Sequence, residues 1–129
     1  MHIKHPWFPI YQLFHKTHHE YQMPIALSTL HADILENILV NHLSYMIPYF
    51  ILGPRLHIAS ANLTGTLILY VSHENHSGYN FPWSLFKLIP FEVDSAYHDF
   101  HHSKNVGCYS NHMTIWDSLF DTNKEYYSK

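Results

Sequence analysis

The sequence predicts an all-α chain: a membrane helical hairpin whose flanking, histidine-bearing helices form a metal-binding cap at one membrane face. Three observations predict it. Residues 32–53 and 57–72 are two mostly apolar stretches, separated by Gly53-Pro54 and Arg55. Histidine occupies 14 of 129 positions, spread from His2 to His112 with no run longer than two. The pattern HxxHH occurs twice, at His15/His18/His19 and at His98/His101/His102, just outside the outer ends of the apolar stretches. A length of 129 residues fits one domain, 1–129.

The elements follow in order. Residues 11–21 read as one helix, free of Gly and Pro and bounded by Pro9 and Pro24. The first apolar stretch carries Asp33 and Glu36 near its start and Pro48 inside it. A helix rises about 1.5 Å per residue, so about 20 residues cross a bilayer core. The first stretch is long enough and the second is near the lower limit. Ala59, Ser60, Ala61, Thr64, Gly65 and Thr66 would let two helices approach closely. A buried soluble hairpin is the competing reading, because Asn37, Asn41, His42 and Asn62 are costly facing lipid. A short connection makes the hairpin antiparallel and returns its outer ends to one side. Residues 73–106 are rich in Pro and aromatics and read as largely irregular, with a turn at Ser77-Gly78. A helix is expected after Asp94, carrying the last histidine motif. Trp7, Trp83 and Trp116 suit an interface belt.

Composition excludes several classes. Net charge is -3 with neutral histidines, which is not the basic footprint of a nucleic-acid binder. A lone cysteine, Cys108, cannot build a disulfide framework or a cysteine-rich zinc site. No cleavable leader pattern is visible. The chain has no HExxH motif, no nucleophile elbow and no Gly-rich phosphate loop.

The histidines carry the chemistry. On a helix, positions i, i+3 and i+4 lie close to one another, so each HxxHH triplet is expected to converge on one point. A shuffled chain of this composition would hold roughly 0.2 such motifs, so two are not chance. Six imidazoles exceed the need of one tetrahedral ion and suit two ions with open positions. His73-Glu-Asn-His76 and His2-Ile-Lys-His5 are weaker pairs on the same face, and His31 is marginal. Glu36, Asp94 and Asp99 are candidates to orient a ligand imidazole, with capping as the plainer role for Glu36. His42, His57 and His112 read as structural or solvent-facing, and Asp117 as an anchor of a helix or loop. Imidazole suits iron, zinc and copper alike. A histidine-rich site at a membrane face fits an iron oxygenase whose apolar substrate arrives from lipid. A soluble zinc-binding module is the reading of another class.

Five stretches bear a resemblance to a known family: FHKTHHEY (14–21), HSGYNFPWS (76–84), LIPF (88–91), YHDFHHSKN (97–105) and WDSLFDT (116–122). In this order and spacing they resemble the fatty acid hydroxylase / sterol desaturase superfamily, with the look of its cholesterol 25-hydroxylases and methylsterol monooxygenases. The resemblance implies a multi-pass enzyme of the endoplasmic reticulum membrane, with a non-haem di-iron centre on the cytosolic side. It implies a monooxygenase that hydroxylates or oxidises a lipid, a sterol first of all, in sterol biosynthesis. O2 is the oxidant, and electrons come from NAD(P)H through a haem-type carrier or a reductase. It implies metal ligation by His15, His18, His19, His76, His98, His101 and His102. His5 falls on the second histidine of the family's first motif. The first falls on Met1, so His2 stands in for it or the true residue lies upstream. Relatives carry two further membrane helices before this point, which implies an N-terminally shortened chain. Asp33 and Asn37 stand where many relatives have histidine, and Asp121 where they have glycine. An inactive metal-binding membrane fragment, or a fatty acyl or sphingolipid hydroxylase, are the alternatives.

Overall fold

A computed structural model describes residue 2 and residues 9–128. Among them every regular element is helical, and the one β feature is an isolated antiparallel bridge between Glu92 and Met113.

The first histidine motif is helical from Tyr11 to Glu20 but is not wound as an α-helix. Tyr11–His15 is π-helical, closed by Lys16 N–H on the Tyr11 carbonyl at 2.8 Å, and His18–Glu20 is 3-10. Tyr21 turns extended and ends it. A second 3-10 turn, Ala26–Leu30, is held by Ser28, whose Oγ donates to the Ile25 carbonyl and accepts from the Ile25 N–H.

The first apolar stretch is a continuous helical rod with a local change of winding. Asp33 caps α1 (Ile34–Glu36) by accepting from Leu35 N–H at 2.8 Å. A π-helical segment, Asn37–His42, leads into α2 (Leu43–Leu52). The π turn coincides with the polar residues of the stretch. Asn41 donates to the Asn37 side chain at 2.8 Å, and His42 Nδ1 to the Asn37 carbonyl at 2.7 Å. Their polar groups are thereby satisfied within the rod. Gly53, at φ 51, ends α2.

His57 caps α3 (Ile58–Asn75) through Nδ1 on Ala59 N–H. α2 meets α3 where the Tyr45 hydroxyl donates to the Ala61 carbonyl at 2.7 Å. A Cβ on Gly65 would run into the Tyr45 phenol, so the small residues expected to allow close approach do so at Ala61 and Gly65. Both outer ends of this pair abut the histidine motifs, through Glu36 and through His76. No helix among the described residues is long and apolar enough to cross a membrane. The rod changes winding at its π segment, which leaves α2 only Leu43–Leu52, and α3 carries Ser60, Asn62, Thr64, Thr66 and Ser72. Large apolar side chains on both remain exposed, among them Ile34, Phe50, Ile51, Ile58 and Leu63.

Asp94 caps α4 (Ser95–Lys104) by accepting from Tyr97 N–H at 2.8 Å, and Asn105 closes it in the left-handed region. Two short helices follow, α5 (Ile115–Leu119) and α6 (Lys124–Tyr127). The apolar core is small: Val93, Tyr97, Phe100 and Cys108, with Tyr126 against them. Beside it lies a polar knot on the buried Asp117 carboxylate, which accepts from Tyr97 Oη, Tyr109 N–H, Ser110 N–H and Thr122 Oγ1. The expectation that Asp117 anchors a loop is met. Asp121 takes φ 56, a conformation that glycine adopts freely and aspartate tolerates.

Candidate metal centre

The most buried part of the molecule is polar. His19, His76, His98, His101 and His102 are all buried, together with Glu36. They form two groups. His2, His15, His19 and His101 make one, which we call group A, and His18, His76, His98 and His102 make the other, group B. Within each group the ligand nitrogens all lie within 4.8 Å of one another.

This arrangement corrects the expected convergence of each triplet on one point. Successive residues of a helix are turned by about 100°, so adjacent histidines cannot share a focus, whereas i and i+4 can. His15 and His19 therefore stay together, as do His98 and His102. The remaining member of each triplet crosses over: His101 joins group A and His18 joins group B. The groups share a wall of stacked rings, His19 on His102 at 4.5 Å and His15 on His18 at 5.2 Å between centroids.

In group A the His15 Nε2 lies 3.0 Å from His2 Nε2 and 3.2 Å from His19 Nε2. In group B the His76 Nε2 lies 3.2 Å from His18 Nε2 and 3.1 Å from His98 Nε2. Five of the Nδ1 atoms are held outward, four of them by main-chain carbonyls. His18 donates to His31 O at 3.2 Å, His76 to Ser72 O at 2.7 Å, His101 to Gly107 O at 2.8 Å and His102 to Tyr21 O at 3.1 Å. His15 donates instead to Glu36 Oε1 at 2.5 Å. A proton spent at Nδ1 leaves a lone pair at Nε2. With those tautomers His18 and His76 point two lone pairs at each other across 3.2 Å, an arrangement that a cation between them would relieve. His102 Nε2 is likewise buried with no partner. Nitrogens about 2.0–2.1 Å from one ion are about 2.8–3.4 Å apart at octahedral or tetrahedral angles, so the residues fit metal ions.

Burial favours the neutral form of six of the imidazoles. It pulls His76 and His101 down to about 4 and His102 to about 2, and pushes His18, His19 and His98 below the ordinary histidine value, with neighbouring imidazoles adding to the effect. Neutral imidazole is the form that binds metal.

Seven histidines expected as ligands, His15, His18, His19, His76, His98, His101 and His102, fall in the two groups, and His2 joins them. His5 lies outside the described residues. His73 is in neither group: its Nδ1 turns back to the Leu69 carbonyl at 2.7 Å. Glu36, a candidate to orient an imidazole, accepts from His15 Nδ1. Asp99 makes no hydrogen bond to a site imidazole among the described residues, because one residue beyond His98 it is turned away from the centre. Asp94 is spent on the α4 cap and on Asn80. His42 and His57 serve their own helices, and His112 is exposed. His31 acts through its carbonyl, while its ring binds Glu20.

Sequence reasoning missed the orienting carbonyls of Tyr21, His31, Ser72 and Gly107, which carry no side-chain signal. Only Gly107 leaves a trace: it sits at φ 73, and a Cβ there would lie 2.6 Å from Thr122 O. Also missed was Tyr109, whose ring packs at 5.0 Å on His2 and 5.8 Å on His101.

A helical chain centred on two groups of imidazoles has the donor set of a histidine-ligated metalloprotein. The chain belongs to the fatty acid hydroxylase family, whose sequence model matches residues 1–122. It is 36% identical over 118 residues to a methylsterol monooxygenase of Aspergillus fumigatus, covering 90% of this chain and 40% of that protein. It is 39% identical over 119 residues to a putative methylsterol monooxygenase of Dictyostelium discoideum, covering 92% and 43%. A cholesterol 25-hydroxylase-like protein of Danio rerio is 35% identical over 124 residues, covering 95% and 47%. The chain spans less than half the length of these relatives. No solved structure matches it significantly.

Proposed function

We propose that this chain carries the metal centre of a non-haem di-iron monooxygenase that hydroxylates or oxidises a membrane lipid, with a sterol as the first substrate to test. The observation that carries the reading is the two groups of four imidazoles, whose ligand nitrogens converge while five of them, His15, His18, His76, His101 and His102, are tied outward through Nδ1. His2, His15, His19 and His101 would hold one ion, and His18, His76, His98 and His102 the other. Two irons, when bound there, would supply the oxygen activation and C–H cleavage that no side chain can perform. The chain's own residues place the ligands: the carbonyls of Tyr21, His31, Ser72 and Gly107, with Glu36, fix the tautomers and ring orientations. The buried setting of His98, His101 and His102 keeps bulk water from competing for the ligand nitrogens. Sterol substrates are favoured by the names of the relatives. O2 and electrons from NAD(P)H, delivered through a haem-type carrier or reductase, complete the proposed reaction.

The exposed apolar side chains of 34–52 and 58–71 support insertion of the helix pair in a membrane, with endoplasmic reticulum as the proposed location and the metal centre on its cytosolic side. Retention of the protein in membranes through carbonate extraction would agree, and release would not.

The test uses the purified protein with its metals, in detergent, given NADPH, a reductase system and either a 4-methylsterol or cholesterol. The expected result is two irons per chain and an O2-dependent oxidised sterol. His101→Ala should abolish iron binding in group A and all turnover. Retention of both would sink the di-iron assignment. Product from a fatty acyl or sphingoid lipid, with none from sterols, would move the reading to that substrate class.

A further inference from the structure

The two imidazole groups differ in what stands behind them. In group B three Nδ1–H groups donate to neutral main-chain carbonyls, those of His31, Ser72 and Tyr21. In group A the His15 Nδ1 donates to a carboxylate, Glu36 Oε1, at 2.5 Å. Glu36 is 4% exposed, and its other oxygen, Oε2, is buried with no partner. A carboxylate stripped of water with one neutral donor is poorly compensated; it needs more positive charge nearby. A cation on the far side of the His15 ring supplies it. In return the carboxylate makes the imidazole a stronger electron donor than a carbonyl can.

The groups also differ in access. His2 and His15 are half-buried, whereas group B has three buried members. The wall of group A includes Tyr109, which is 45% exposed and begins an open groove lined by Trp116 and Phe120.

We propose that the two metal positions are chemically unequal: position B holds its ion durably, while position A exchanges its ion with solution and has its affinity set by Glu36. Glu36 is thus a positioning residue for one ion of the pair. The inference rests on the metal-centre reading above.

The test reads metal, not turnover. The 129-residue chain is loaded with Zn2+ or Co2+, and release to a chromophoric chelator is followed. The native chain should give two phases, one fast and one slow. Glu36→Gln should weaken the fast-releasing ion by about 10–100-fold and leave the slow phase unchanged. Glu36→Asp should restore part of the loss. Helical circular dichroism checks that the variants are folded, and the native release profile tests the inequality without any variant. Two ions leaving in one phase, or a Glu36→Gln chain with an unaltered fast phase, would overturn the proposal and leave the metal centre standing. A native chain that binds neither metal would overturn both.

Discussion

His18 and His19 are neighbours in the chain, yet they fall in different imidazole groups. The Nε2 of His18 lies 3.2 Å from that of His76, and the Nε2 of His19 lies 3.2 Å from that of His15. The same division separates His101 from His102. Each HxxHH motif therefore contributes to both positions, so neither can assemble until the N-terminal turn and α4 have docked.

That division predicts selective metal loss. His18→Ala should remove the ion of group B and His19→Ala the ion of group A, so each single variant should bind half the metal of the native chain. Elemental analysis after gel filtration reads the ratio. Unchanged metal in both variants would contradict the assignment of the groups.

Removal of metal should loosen the fold. The centre is built of buried imidazoles rather than apolar side chains, and the apolar core beside it is small. Ion binding then supplies folding free energy directly. Treatment with a strong chelator should lower the thermal midpoint and expose the segment around His15 to protease, and re-addition of Zn2+ or Fe2+ should reverse both.

Asp117 should matter to stability although it touches no candidate ligand. It is 2% exposed and accepts four hydrogen bonds. Asp117→Ala leaves buried donors unpaired and should cost about 3 kcal/mol in urea denaturation. Burial alone would raise its carboxyl, but donation from Thr122, Ser110 and Tyr97 outweighs burial and holds it below the usual aspartate value. A depressed folded value means that the stabilisation is complete above the unfolded pKa of about 3.9 and is lost as pH falls through the folded one. Between pH 5 and the acid limit, the native chain should lose more stability than Asp117→Asn, and parallel pH curves would refute this.

Gly65 should resist enlargement. A methyl there collides with the Tyr45 phenol, whose hydroxyl is tied to Ala61. Gly65→Ala gains about 1 kcal/mol of helix propensity but meets an overpacking cost of about 1–3 kcal/mol. The net expectation is destabilisation, relieved when Tyr45→Leu is added. A thermal-unfolding double-mutant cycle measures the coupling, and additive effects would show that Tyr45 and Gly65 do not share the contact.

The pattern of residue types made much of this legible. Gly53-Pro54 marked the turn between the two apolar stretches, and both helical stretches are present on either side of it. Asp94 marked the start of α4 as its cap. The winding of 11–15 and 37–42 as π-helix left no sign, because it depends on which carbonyl each N–H finds and not on a periodicity of side chains.

What the sequence determined by itself was the donor inventory: which histidines, at what helical spacing, and at which ends of the apolar stretches. Spacing along one helix is a local property, so it predicted that each triplet comes together, and of that expectation only the pairings of His15 with His19 and His98 with His102 hold. The tertiary structure alone decided the exchange of His101 and His18 between groups, the exclusion of His73, and the place of Glu36 behind His15. These depend on how separate helices are rotated against each other, and that rotation is set by packing and by main-chain carbonyls such as those of Ser72 and Gly107, to which a one-dimensional pattern is blind.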